Sequence, residues 1–497
     1  MEPGTEGESD VQSIRQALIV FWLGVAVPLS GVAAVAFAQA AEGKGTMFRE
    51  DRRGGTGEGA ALTALLSDVE GCRGRLTWFL SRHPAFRLGE DGRYHLVPGA
   101  AFVFGGDAPD RFAGERHVLQ ELLRLKAETP DRVVLLAGNR DINKLRLPLE
   151  LSPAALRRPP HQRPDAYEAW RGERSLPDDA PARLRWILEQ TMGSPVAFDL
   201  RRAALAADRG VDPATVSGDD VVASYLADAS PGGLFHRYLQ AAVLMARRGP
   251  TLFVHAGLPQ AALGKVPGRR RRAPDPDTWM ADLESWYRQQ LAAWEAGLGR
   301  WDGVGPRPGE ALIRYVERWG TISYNPFSVV YGRTLDPEGK VDLPPAPVVD
   351  WLRRAGIRRV VVGHTPSGQV PVVRRTADGG FEQWVIDTSY GPPGEVPLVT
   401  LHGADGAGLA VEARLEARLV AGVASATLAE GVLPVSFRSR LGGPGPLGAR
   451  CRDGAFLVAP VGDRWLAFRV GPGFKLQYDL RSEEPGKGAA DDTDDHR

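Results

Sequence analysis

Short apolar runs that each end in residues able to bind a metal or a phosphate constrain this chain more than any other feature. They are Ala61–Leu66, Ala101–Phe104, Arg132–Ala137, Thr251–Val254, Arg359–Val362 and Trp384–Ile386, separated by stretches with helical periodicity. The clearest helical stripe is Leu119–Leu125, which lies between two of the runs. Runs too short for helices, alternating with amphipathic segments, predict an α/β fold with helices on the faces of its sheets. In layered folds of that kind ligands bind at the carboxyl ends of the strands, where the loops converge.

Composition permits such a fold. At 497 residues, 43% hydrophobic and 25% charged, the chain can bury a large core as one domain with insertions, or as two or three units. Its 61 basic residues balance 61 acidic ones, so no nucleic-acid partner is expected. Cys72 and Cys451, the two cysteines, cannot make a disulfide framework.

The ends of the runs carry the chemistry. Asp68 and Glu70, on alternate residues of Ser-Asp-Val-Glu-Gly-Cys, can point at one site. Asp107, Asp110 and Arg111 follow the second run, and Asn139, Arg140 and Asp141 follow the third. His255 ends the fourth and His364 the fifth. Carboxylate, amide and imidazole groups together suit hard to borderline divalent ions such as Mn²⁺, Fe or Zn²⁺.

In their order, SDVEGC, GDAPDR, GNRD, VHAGLP, VGHTP and IDTSYG resemble the motifs of the calcineurin-like metallophosphoesterase family, which run D-x-H-G, G-D-x-x-D-R, G-N-H-D/E, H-G/A-G and G-H. The resemblance is greatest to the phosphoprotein phosphatase and symmetrical diadenosine-tetraphosphatase branch, and it covers Ser67 to Gly391. It implies a four-layer α/β/β/α sandwich, to which the sequence adds helical insertions and, from the strand-like runs GAFLVAP, RWLAFRV and FKLQYDL, a small β-rich C-terminal unit. It also implies two divalent metal ions that activate water for in-line attack on a phosphate ester. Asp68 and Glu70 would hold the first ion, Asp107 would bridge, and Asn139, His255 and His364 would hold the second. Arg111, beside Asp110, would bind the substrate phosphate bidentately.

Two departures bear on activity. Glu70 stands where the family has a metal-binding histidine, and Arg140 where it has the histidine near the leaving group, paired with the second aspartate of GDxxD. Glu70 can still ligate a metal; Arg140 cannot act as a general acid but can stabilise developing negative charge. In a competing arrangement Arg140 pairs with Glu70 and takes the first-metal position, leaving a one-metal site or a binding module without hydrolysis. The expected function is therefore phosphomonoester hydrolysis on a small molecule or a phosphoprotein. A dinucleoside polyphosphate hydrolase and a catalytically impaired module are the alternatives.

The core domain is expected over residues 60–402, with helical insertions at about 147–248 and 260–350. A small β-rich unit at 403–481 and a disordered acidic tail at 482–497 follow. The tryptophans of DTWMADLESWYRQQLAAWEAGL, at roughly helical spacing, predict an apolar face packed on the core. Asn325 and Tyr331 either line the pocket or pack a loop. In the N-terminal segment 1–46, Ala17–Ala38 carries no charge, and Lys44, Arg49, Arg52 and Arg53 follow it. A single membrane anchor over 17–38, holding a cytoplasmic catalytic domain at the inner membrane, fits that pattern. A signal peptide and a start at Met47 are the other readings.

Overall fold

The computed structural model describes residues 62–482 apart from 160–162, 304, 336–340, 390–393, 404–407, 418–430, 441–450, 452–454, 462–463 and 471–475. The candidate anchor 17–38 and the acidic tail from Glu483 lie outside the described residues. Among those described, no helix is long and apolar enough to cross a membrane.

Each apolar run read from the sequence is a strand or overlaps one. In chain order the strands are β1 (Leu62–Leu66), a small hairpin of β2 (Phe86–Leu88) and β3 (Tyr94–Leu96), β4 (Ala101–Phe104) and β5 (Val133–Leu135). Then come β6 (Met245–Arg248), β7 (Thr251–Val254), β8 (Arg359–Val362), β9 (Val372–Arg375) and β10 (Glu382–Val385). The C-terminal strands are β11 (Leu398–His402), β12 (Gly408–Ala417), β13 (Gly431–Arg440), β14 (Phe456–Val461), β15 (Arg464–Val470) and β16 (Leu476–Ser482).

They form two large sheets, ordered β13-β12-β11-β1-β4-β5 and β6-β7-β8-β10-β9. The β1-β4-β5 and β7-β8-β10 pairings are parallel. Of these, β1, β4, β7 and β8 are apolar at nearly every position because both of their faces are covered, whereas β10 buries Glu382 and Gln383. The sheets meet face to face, with Leu65, Val103 and Leu136 of the first lining one narrow gap with Phe253, Val361 and Ile386 of the second.

Helices cover the outer faces. After β1 comes α1 (Arg73–Arg82), whose Phe79 ring lies 6.0 Å from Phe102 of β4. After β4 comes α2 (Glu115–Glu128), which buries Val118, Leu119, Leu122 and Leu125, the stripe expected from the sequence. The short α3 (Asn139–Asn143) and α4 (Leu147–Glu150) follow β5 and lead into an insertion containing α5 (Ala180–Trp186), α6 (Ala197–Arg209), α7 (Gly218–Ala229) and α8 (Leu234–Ala241). On the second sheet, α9 (Pro276–Leu298) buries Trp279, Trp286 and Trp294, and Trp279 stacks edge-on against Trp351 of α10 (Ala346–Arg354). The result is a four-layer α/β/β/α sandwich.

Two stretches differ from their sequence reading. HRYLQAAVLMARR looks helical throughout, but the helix stops at Ala241. Ala242 turns extended, and Met245–Arg248 pairs antiparallel with β7 through a turn at Gly249, whose φ is 53°. The β-rich C-terminal portion also divides: β12 and β13 extend the first sheet outward from β11, while β14, β15 and β16 form their own three-stranded sheet.

Candidate metal centre

The loops after β1, β4, β5, β7, β8 and β10 converge at one end of the sandwich. The first two are zipped together by backbone bonds: Asp68 N–H donates to Gly106 O at 3.0 Å, Glu70 N–H to Asp107 O at 3.0 Å, and Gly71 N–H to Ala108 O at 2.6 Å. Among the described residues, the non-glycine residues with left-handed φ are Asp68 (51°), Glu70 (48°), Asp107 (56°), Asp110 (80°), Arg111 (42°), Ser175 (51°) and His364 (64°). All but Ser175 belong to this one constellation. Such backbone costs on the order of 1 kcal/mol or more per residue and persists where the surroundings over-determine it.

Asp107, His255 and His364 are buried and bring ligand atoms within 4.8 Å of one another. The Asn139 amide oxygen sits among them, 3.1 Å from His255 Nε2 and 2.8 Å from His364 Nδ1. His255 Nδ1 lies 2.8 Å from the Gly105 carbonyl, which can only accept, so Nδ1 carries the proton. In the neutral ring Nε2 then presents a lone pair to Asn139 Oδ1 and, at 3.4 Å, to Asp107 Oδ1. A divalent ion placed between these electron-rich atoms would satisfy all of them at once. Burial, helped by Arg333, His255 and Arg140, holds the His364 pKa well below its usual value, which keeps that ring neutral and able to ligate. Its Nε2 is buried with no hydrogen-bond partner among the described residues. The donor set thus fits a divalent ion.

The other half of the constellation is arranged differently. Glu70 is nearly inaccessible and lies between two guanidinium groups: Arg111 Nη1 donates to its Oε2 at 2.7 Å, and Arg140 Nε is 2.9 Å from its Oε1. Arg140 Nη1 also donates to Met192 O and Ser194 Oγ, both at 3.0 Å, so the insertion holds it in place. Asp68 accepts from the His364 backbone N–H at 3.1 Å and from Ser67 Oγ. Burial and the neighbouring carboxylates of Asp387, Asp107 and Glu70 push the Asp68 pKa well up. Asp110 faces Lys144 Nζ at 2.7 Å, both groups fully buried, and Arg140 Nη1 at 3.5 Å.

Two participants, Asp387 and Lys144, were not singled out from the sequence, and a third, Asp141, was named there without a role. Asp387, after β10, is buried beside Glu70, and burial with that charge raises its pKa to about 6. Its place at the end of the Trp384–Ile386 run is the same signal that marked the others. Lys144 is a single basic residue inside a helical stretch and carries no such signal. Asp141 accepts backbone N–H bonds from Asp107, Ala108 and Gly138, tying the second and third loops together. Burial pushes its pKa up to about 8 against the pull of those donors. Tyr331 does reach the site, its ring 5.2 Å from that of His364, while Asn325 is buried and donates to the Arg314 and Tyr315 carbonyls.

No protein-family model and no curated protein matches this chain. Solved structures similar to it include a cold-active protein-tyrosine phosphatase of the psychrophile Shewanella sp. (15% identity, 71% of this chain and 80% of that one, TM-score 0.36). Others are a protein serine/threonine phosphatase from Saccharomyces cerevisiae (12%, 76% and 80%, 0.32) and a metallophosphoesterase from Sphaerobacter thermophilus (11%, 69% and 84%, 0.23). At these scores nothing about this chain's chemistry rests on the likeness.

Proposed function

We propose that this protein is a metal-dependent phosphoesterase acting on a phosphomonoester, of a small molecule or of a phosphoprotein, at the centre formed by Asp107, Asn139, His255 and His364. The observation that carries the reading is the His255 tautomer, which aims a lone pair at two oxygens and so calls for a cation. The motif resemblance supplies the reaction class. When bound, a divalent ion supplies Lewis-acid polarisation of a phosphoryl group and acidifies water.

The chain's own residues do the rest. Arg111, with 28% of its side chain exposed, is more open to an incoming phosphate than Arg140 at 17%. Its planar fork suits phosphate oxygens. Arg140, fixed by Glu70, Met192 and Ser194, is a preorganised cation near the centre and stabilises charge on the leaving group without transferring a proton. Lys144 engages the Asp110 carboxylate at 2.7 Å.

In this arrangement Arg140 takes the place of the first ion, and the centre holds about one ion per chain. A dinuclear centre is the second reading, favoured by the excess of buried carboxylates: Asp68, Glu70, Asp107, Asp110, Asp141 and Asp387 outnumber Arg75, Arg111, Arg140 and Lys144. The uncharged run Ala17–Ala38 supports an anchor that places the catalytic domain at the inner membrane, which fractionation of the full chain would check.

The deciding experiment is metal analysis of the protein dialysed against Mn²⁺, together with turnover of p-nitrophenyl phosphate. Retained metal and turnover, both lost in His255→Ala, are expected. A protein that holds no metal and hydrolyses nothing refutes the proposal.

A further inference from the structure

A second cavity, of about 700 Å³, opens between α4, α5 and the segment from Trp301 to Arg314, and nothing in the metal centre uses it. Its size suits a small organic ligand. Its walls are dominated by arginine, and the pairing of those arginines decides what it can hold.

Arg146 is matched by Glu150, Arg307 by Glu310, Glu317 and Glu150, Arg314 by Glu310, and Arg163 by Glu168 and Asp178. Two are not matched in this way. Arg158 donates to the Gly303 carbonyl and lies 5.8 Å from the centre of the Trp301 ring, with no carboxylate beside it among the described residues. Arg183 is 93% buried, since its exposure is 7%. Its guanidinium carbon lies 3.7 Å from the centre of the Tyr167 ring, and its Nε and Nη2 have no hydrogen-bond partner among the described residues. Trp186 and Trp301 line the same cavity, and their indole nitrogens are buried with no hydrogen-bond partner among the described residues.

Buried donors without acceptors are costly, and a buried guanidinium without an anion more so. Two guanidinium groups without a carboxylate among the described residues at one cavity favour an anion there, which a phosphate dianion supplies, and Arg is the side chain suited to hold it. The two indoles add flat apolar surface for a ring. We propose that this cavity is a binding site for a nucleoside monophosphate or a similar ring-bearing phosphate ester, separate from the metal centre.

The location gives the site a way to act on that centre. Arg146 and Glu150 lie on the continuous helical stretch that begins with Asn139 and Arg140, on the order of 10 Å away along its axis. Arg183 and Trp186 belong to α5, which runs directly into the turn carrying Met192 and Ser194, the two groups that accept from Arg140 Nη1. Both elements that position Arg140 therefore also form walls of the cavity, and a ligand there biases where Arg140 stands.

The test is isothermal titration of the full chain, in chelator, with AMP, adenosine and inorganic phosphate. AMP is expected to bind more tightly than either fragment. Arg158→Gln, at a half-buried position, and Trp301→Ala are each expected to weaken it about 10-fold or more. Arg183→Gln should weaken it further, and circular dichroism would verify that the variant folds. His364→Ala, which disables the metal centre, should leave AMP binding unchanged. Loss of AMP binding in His364→Ala would place the nucleotide at the metal centre and overturn the proposal. So would unaltered binding in both Arg158→Gln and Trp301→Ala, phosphate binding as tightly as AMP, or no AMP binding at millimolar concentration. None of these outcomes depends on whether the metal centre turns over a substrate.

Discussion

Glu70 Oε1 lies 2.9 Å from Arg140 Nε, an ion pair that joins the loop after β1 to the start of α3. The two residues are the two departures from the family motifs, and they are in contact. One added anion and one fixed cation thus compensate each other locally, with Arg111 completing the triad at 2.7 Å. Replacing both at once, Glu70→His with Arg140→His, removes the internal cation and supplies two neutral imidazoles. Metal content by plasma mass spectrometry is expected to rise from about one ion per chain to about two. An unchanged content in the double variant would rule out Arg140 as the occupant of the first-ion position.

Gly138 packs the third loop directly against Asp107. A Cβ on it would collide with the Asp107 backbone nitrogen and carboxylate and come within 2.9 Å of His255 Cε1. Gly138→Ala must push Asp107 aside, at a cost of about 1–3 kcal/mol in stability. Metal affinity measured by competition with a chromogenic chelator should fall at least ~10-fold. A variant that binds metal normally would show that Asp107 is not held where the ion sits.

A buried charge cluster fixes the insertion to the core. Arg201 of α6 donates to Glu115 of α2 at 2.8 and 2.6 Å and to Asp228 of α7 at 2.6 Å, all three buried. Glu115 in turn accepts from the Asp110 backbone N–H at 3.3 Å. Arg201→Ala leaves buried Glu115 without this cation and Asp228 with Arg116 at 3.3 Å, and is expected to cost about 3–5 kcal/mol by urea denaturation. Arg201→Ala with Glu115→Gln should recover part of that loss. No recovery in the double variant would count against pairing as the cause.

His83 sets a pH limit on stability. The Ala85 N–H donates to its Nδ1 at 3.1 Å, so the proton is on Nε2, facing Val399 O and Thr400 Oγ1. Burial, with the charge of His402 nearby, lowers its pKa to about 4. The folded pKa lies below the unfolded one, so the unfolded chain takes up the proton first as pH falls. Stability is unaffected above about pH 6.5 and declines from there to about pH 4, by about 3 kcal/mol in all. Urea midpoints measured from pH 7 to 4.5 should fall more steeply in the native chain than in His83→Gln. Parallel profiles would exclude His83 as the source.

Much of this was legible in the sequence for one physical reason: strands buried on both faces must be apolar at nearly every position, so β1, β4, β7 and β8 stand out, and the polar residues one to three positions beyond each are marked by contrast. Asp68, Asp107, His255 and His364 were found in that way. The Glu70–Arg140 contact was legible as one of two arrangements, since both residues could be seen and their distance could not. What held Arg140 was not legible, because Met192 and Ser194 come from an insertion with no recognisable pattern. The arginine cavity was hidden for a similar reason. Its walls are drawn from residues 146 to 314, and in an arginine-rich chain Arg158 and Arg183 look like any others. β6 was misread because its alternation is brief and follows a true helix without a proline or glycine until Gly249.

The pairing of β1 with β11, which sets Leu62 opposite His402, has a consequence for synthesis on the ribosome. The strand that presents Asp68 can join β4 early, but its other edge stays bare until more than three hundred further residues have been translated. During that interval an apolar strand with an open edge is a template for pairing with other nascent chains. The order of emergence thus makes the N-terminal strand a natural client for a chaperone acting at the exit tunnel.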